Sequence, residues 1–254
     1  MTLRGSPDVG FLLLAGRSVL GRVTDLTDVE EMLVEETTPL GQNHDSWGSV
    51  GQKKWTLDQN GFYDSATGAI NEALALTGEQ ILMYALDGNA VGSEFLGAEA
   101  VRSTYERLAA RGTLHKARGK FVSDAGPDRG YVGAPLVART TEGPASTTTI
   151  DWGVAYANQA AGSMIAYLGV SALTLDSATG LAVIVRDSAD DITYADAIAF
   201  TAVTLVNATE RKTLAAASAP NDIERYTQVQ WEFTGTPGGN QTATFAVGIA
   251  RSLT

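Results

Sequence analysis

The chain of 254 residues contains no cysteine. That excludes disulfide cross-links and thiolate chemistry, and with them the small secreted scaffolds held together by disulfides. Its two histidines, His44 and His115, have no fixed spacing to further ligands and do not make a zinc site. No apolar run approaches the ~20 residues of a membrane-spanning helix. The longest, Gly10–Gly16, is about a strand long. It resembles the middle of a signal peptide, but Arg4 is the one basic residue before it and Asp8 sits just before it, so a cleaved export signal is not expected. Basic residues are scarce too, 18 Lys and Arg against 29 Asp and Glu, for a net charge of −11. A duplex-binding protein needs a basic footprint to release counterions. An acidic surface instead repels DNA and keeps a protein soluble.

What the chain has is strand pattern. With 44% hydrophobic residues it can bury a sizeable core, as one large β domain or two of ordinary size. Lys54–Phe62 alternates large and polar residues, with Trp55, Leu57 and Gln59 on one face. Ile165–Leu173, Leu181–Arg186, Ile198–Leu205, Tyr226–Thr234 and Thr242–Arg251 read as further strands separated by turn clusters, the signature of a sandwich or jelly roll. In the first half, Thr27–Glu30 fits a capping box that opens a short helix, and Glu31–Thr37 fits a strand equally well. Residues 38–53 read as a long polar loop, and loops of that length usually have a job. Val101, Tyr105 and Leu108 at i, i+4 and i+7 predict a helix over 93–111, with Ser93 as N-cap and Gly112 beyond its end. A weaker helix is expected near 78–86, a strand over 114–122 and a linker over 139–149.

Candidate chemistry is thin. His44 beside Asp45 is half a relay at best, since a relay needs a nucleophile and groups converging in space. Asp187–Asp191 offers hard oxygen ligands for calcium, but a hairpin turn explains the same residues. Gly235–Gly239 is glycine-rich without the lysine of a phosphate loop. Asn207 and Asn240 open glycosylation-type triplets, which arise often by chance. Trp55 and Trp231 are expected in the core, whereas Trp47 and Trp152 are better placed for exposed contact with a partner subunit or a sugar. No catalytic, cofactor or metal site is assigned, and no enzyme activity or cofactor is expected.

The runs Val34–Gly41, Trp47, Lys54–Asp64, Ser103–Arg107 and Arg111–Ala117 resemble the major tail (tail tube) proteins of long-tailed bacteriophages, and Glu224–Tyr226 with Phe245–Arg251 resembles the end of phage structural proteins of the same group. The resemblance implies a mainly β fold: a tail-tube-like sandwich or barrel with one flanking helix over residues 1–143, then a second β-sandwich over 150–254 that is either a second tube-like copy or a decoration. It implies a structural virion protein that assembles into rings stacked as a tail tube, in the host cytoplasm, with DNA passing through without specific binding. Copies of itself, the tail tip and the tail terminator proteins would be its partners, and no membrane. The loop would carry the contact to the next subunit or ring through Leu40, His44, Trp47, Val50 and Lys53, and Asp28, Glu30, Glu31, Glu35 and Glu36 would face the lumen. A decoration or a receptor- or carbohydrate-binding sandwich is the alternative. A glycosidase with paired carboxylates is a third reading.

Overall fold

The computed structural model describes residues 9–19, 23–36, 47–63, 70–109, 114–140, 143–155, 163–214 and 223–251. In chain order the strands are β1 (Phe11–Leu14), β2 (Arg17–Ser18), β3 (Val23–Glu36), β4 (Trp47–Phe62), β5 (Glu79–Ala85), β6 (Glu94–Leu108), β7 (Lys116–Ser123), β8 (Asp128–Arg139), β9 (Ala145–Ser146), β10 (Ile150–Asp151), β11 (Met164–Thr174), β12 (Ala178–Ser188), β13 (Ala195–Ala199), β14 (Thr209–Thr213), β15 (Tyr226–Gly235) and β16 (Thr242–Arg251). A six-residue helix, α1 (Ile70–Ala75), lies between β4 and β5. The protein is mainly β, as expected.

The chain forms two compact units that are not consecutive halves. The first comprises Met1–Leu20, Ile81–Gly97 and Asp128–Thr254; the second comprises Gly21–Gln80 and Ala98–Pro127. The cut expected between 143 and 150 falls inside the first unit. There β8 pairs with β16 across that stretch, from Arg139↔Ala243 to Gly130↔Ala250.

The first unit is a sandwich. One sheet runs β14-β11-β16-β8-β6-β5-β1-β2 and the other β10-β15-β12-β13, with β9 beside β15. Alternation builds the core between them. Thr227, Val229, Trp231 and Phe233 of β15 are buried while their neighbours are half-exposed. Of these, Val229, Trp231 and Phe233 meet Leu181, Val183 and Val185 of β12 and, from the other sheet, Met164, Ala166, Leu168, Phe245, Val247 and Ile249. β16 is buried on both faces, which is why it reads as a nearly continuous apolar run. Its other face joins a second cluster with Phe11, Leu13, Met83, Phe95 and Tyr167.

That cluster exists because the large sheet curls. Four strands separate β1 from β11 in sheet order, yet a Cβ on Gly169 of β11 would lie 2.7 Å from Leu13 Cδ1. Two aromatic rings fill the inside of the curl by lying over glycines, Phe95 on Gly248 and Tyr167 on Gly97, with ring centroids 5.8 Å apart. A Cβ on Gly248 would overlap the fully buried Phe95 ring. Gly248→Ala is therefore expected to destabilise the protein by about 1–3 kcal/mol, the usual penalty of overpacking. Urea unfolding checks this, and a wild-type midpoint would mean the ring has room to move.

Arg139, at the end of β8, is buried in the same unit. Its guanidinium lies 3.9 Å from the Phe245 ring centroid and 4.8 Å from that of Trp231. It donates to the carbonyls of Phe245 (2.8 Å), Val137 (3.0 Å) and Pro135 (2.7 Å). Burial lowers its pKa to about 10, so it stays charged at neutral pH. The expected linker that begins at Arg139 is in part an edge strand. Ala145 and Ser146 pair with Trp231 and Gln230, and the Thr147 N–H donates to the Val229 carbonyl.

Two expected helices are strands. Residues 94–108 form β6 and residues 79–85 form β5. Val101 and Leu108, whose spacing predicted one face of a helix, are 50% and 51% exposed. Ala, Glu, Arg and Leu favour a helix here, but β8 pairs with the start of β6 and β7 with its end, and ladder bonds outweigh propensities of a few tenths of a kcal/mol per residue. The flanking helix is instead the short α1. The loop expected over 38–53 is strand from Trp47 onward, and Thr27–Glu30 is strand rather than helix.

Candidate assembly surface

Among the described residues the second unit holds one sheet, ordered β3-β4-β7 and then the latter part of β6. β4 is its spine. From Trp55 to Phe62 it pairs with Ser123 to Lys116 of β7, and along its whole length it pairs with β3. Helix α1 packs on one face, where Leu74 fills the space over Gly119 and the Leu74 carbonyl accepts from Arg102. The alternation Trp55, Leu57, Gln59 read from the sequence is this covered face, and all three are buried. At its end, Arg107 lies over the rings of Tyr105 (5.2 Å) and Tyr63 (5.7 Å), and the Tyr105 hydroxyl donates to Asn71.

The opposite face shows exposed side chains. Lys116, Arg118 and Lys120 of β7 form a row two residues apart, with Asp58 of β4 at 3.8 Å from both Arg118 and Lys120. The signal for this row was present in Lys116–Lys120, where basic and small residues alternate, but the sequence reading passed over it. Val29, Phe62, Val101 and Leu108 are exposed around it.

Beyond the third strand the sheet narrows to a ribbon. Met32↔Lys53, Val34↔Ser49, Glu35↔Gly48 and Glu36↔Trp47 pair with one another, whereas β7 reaches no further than Trp55. Among the described residues, β3 has β4 as its sole partner, so its outer edge is open along the sheet as well as along the ribbon. Two isolated strands are at best marginally stable in water, and an open edge is a pairing template. The edge is acidic, with Asp25, Asp28, Glu30 and Glu31 all exposed.

The expected contact residues divide accordingly. Trp47, Val50 and Lys53 have their backbones in the ribbon, and their side chains lie outside the described residues, as do those of Glu35 and Glu36. Leu40 and His44 lie outside the described residues altogether. Asp28 and Glu30 stand opposite Leu57 and Trp55, but Glu31 stands opposite Lys54. Alternation sends Asp28 and Glu30 to one face and Glu31 to the other, so the three do not line a single surface.

Other candidate chemistry resolves into turns and pairs. Asp190 accepts the N–H groups of Ile192 (3.0 Å) and Thr193 (2.9 Å) and the Ser188 hydroxyl (2.9 Å), which keeps its carboxyl below the usual range. Asp191 accepts the Thr149 and Tyr194 hydroxyls. The Asp187–Asp191 run is thus a hydrogen-bonded turn, and no group of three His, Cys, Asp or Glu able to hold a metal occurs among the described residues. Asp151 takes a two-pronged bond from Arg225, both distances 2.7 Å, which lowers its pKa to about 2. Burial pushes Asp187 up. His115 is exposed at the start of β7. Among the described residues no helix is long and apolar enough to cross a membrane.

No protein-family model and no curated protein matches the chain. Solved structures do. A chain from the tail of an empty gene transfer agent particle with C6 symmetry is 8% identical over 49% of this chain and 97% of its own, at a TM-score of 0.39. A chain from the virion of a native gene transfer agent particle is 7% identical over 50% of this chain and 98% of its own, at a TM-score of 0.37. The phage SPP1 Dit protein, described as a hub of the adsorption apparatus of phages that infect Gram-positive bacteria, is 11% identical over 96% of this chain and 99% of its own, at a TM-score of 0.35.

Proposed function

We propose that the protein is a structural component of a phage tail and, within the tail, the tube subunit. Copies join side by side into rings, rings stack into a tube, and DNA passes through without specific binding. The protein resides in the virion, is assembled in the host cytoplasm, meets tail tip and terminator proteins at the tube ends, and performs no catalysis. The observation that carries this reading is the ribbon of β3 and β4, whose outer edge has no partner among the described residues. A neighbouring copy supplies one, and a head-to-tail contact of that kind propagates into a ring or a stack. The same sheet carries an acidic edge on β3 and the basic row Lys116, Arg118 and Lys120 on β7, so successive copies can set opposite charges against each other. Either Asp28 and Glu30 or Glu31, but not both sets, would line the bore.

Sedimentation velocity and negative-stain electron microscopy over a concentration series test the reading. Rings or tubes are expected to grow with concentration. Assembly should slow as salt rises from about 0.1 M to 1 M, which shortens the screening length from about 10 Å to 3 Å. A strictly monomeric species at every concentration would count against it.

A further inference from the structure

The first unit contains a cleft of about 490 Å³ that the assembly reading does not use. Asp87, Glu94, Arg129, Tyr131 and Trp152 line it. The sheet brings three of these to one place. Glu94 of β6 is the register partner of Tyr131 of β8, and Arg129 lies two residues before Tyr131 on the same face. Asp87 closes one end, where its carboxylate accepts the Glu94 N–H. Trp152 follows β10 and stands 4.9 Å from Tyr131 between ring centroids, at an interplanar angle of 55°.

We propose that this cleft binds a neutral saccharide. Tyr131, 39% exposed, offers an aromatic surface for the apolar face of a sugar ring. The wall behind it is fixed in advance. The Trp152 indole N–H donates to the Thr227 hydroxyl, its backbone N–H donates to the Arg225 carbonyl (3.1 Å), and the Arg251 guanidinium lies 4.3 Å from its ring centroid. A preformed wall lowers the cost of ordering on binding. The two carboxylates accept hydrogen bonds from sugar hydroxyls and the Arg129 guanidinium donates them. Charge then selects the class. Asp87 and Glu94 disfavour a phosphate or other anion, while Arg129, with Arg251 behind the ring, disfavours a cation. The balance leaves a neutral polyhydroxyl ligand in a cleft of ordinary ligand-site size.

The test is saturation-transfer NMR and titration calorimetry on the full chain with neutral hexose and N-acetylhexosamine oligosaccharides of two to four rings. At least one oligosaccharide is expected to bind. Tyr131→Ala should weaken it roughly tenfold or more, the size of a lost stacking partner, and Tyr131→Phe, which keeps the ring, should restore it. Tyr131→Phe should melt like the wild type, and Tyr131→Ala, which gives up the ring contact with Trp152, should melt lower but remain folded at the titration temperature. No binding by the folded wild type, undiminished binding by Tyr131→Ala, or tighter binding of a lysine-rich peptide or quaternary ammonium ion than of any sugar would each overturn the proposal. Tyr131→Ala should still form whatever rings the wild type forms, so the outcome here is separable from that of the assembly experiment.

Discussion

Replacing residues 33–52 by the dipeptide Asn-Gly is expected to leave a folded protein that no longer forms rings or tubes. Met32 and Lys53 are register partners, so a two-residue turn joins them without disturbing the strands that remain. Asn-Gly favours the type I′ turn whose twist matches a hairpin. The retained part of β4 keeps its pairing with β7 from Trp55 to Phe62, and with it Trp55, Leu57 and Gln59 in the core. The part removed has no third strand among the described residues, so it adds little to the stability of a single copy. A shorter connection also costs less closure entropy, so stability should change by no more than about 1 kcal/mol. Urea unfolding reads the first expectation, and sedimentation with electron microscopy reads the second. A variant that still forms rings would remove the ribbon from the interface. A variant that unfolds would show that the ribbon belongs to the fold of the single copy.

Arg139→Ala is expected to cost about 3–5 kcal/mol of stability. Three carbonyls, those of Pro135, Val137 and Phe245, lose a charged donor at 2.7–3.0 Å. A hydrogen bond to a charged group contributes about 1.5–3 kcal/mol, and a buried acceptor left without a partner incurs its desolvation penalty. The slot between Trp231 and Phe245 also empties, adding a cavity term. Offsetting these, the cost of keeping a cation in a buried site disappears; that cost is visible in the pKa lowered to about 10. For a unit of this size the net corresponds to a melting point lower by roughly 10 °C. Arg139→Met separates the contributions, since it refills the slot but restores no donor. It should fall between wild type and Arg139→Ala in a calorimetric scan. If Arg139→Ala melts with the wild type, the guanidinium contributes no net stability and the carbonyls find water instead.

The long strands of the second half, β11, β12, β15 and β16, were legible because each is buried on a definable face, whereas the strand expected over Ile198–Leu205 ends at Ala199 and β14, mostly half-buried, was not foreseen. Tyr226–Thr234 alternates without interruption, and Thr242–Arg251 is apolar enough to be covered on both sides. Lys54–Phe62 was legible for the same reason, down to the residues on its buried face. The Glu94–Leu108 segment was not. Its composition favours a helix, its apolar residues fit period 3.6 as well as period 2, and a register shift between Arg102 and Thr104 interrupts the alternation. Residues 47–53 read as loop because they are rich in glycine and polar residues, yet their backbone pairs with β3 alone to form a ribbon, a long-range pairing that local composition does not announce. Arg139 looked like the start of a linker because nothing local announces that two rings and three carbonyls will surround it.

The amino-acid order alone determined that this is a β protein without thiol chemistry, with Trp55 and Trp231 inside and an acidic exterior, because hydrophobic period and composition are local properties. Tertiary structure alone decided that the two units interleave along the chain, that 94–108 is a strand, that Glu30 and Glu31 part to opposite faces, and that Tyr131 meets Trp152. Each of these depends on which distant strand supplies the ladder partner, and pairing between residues far apart in sequence leaves no periodic trace in either one.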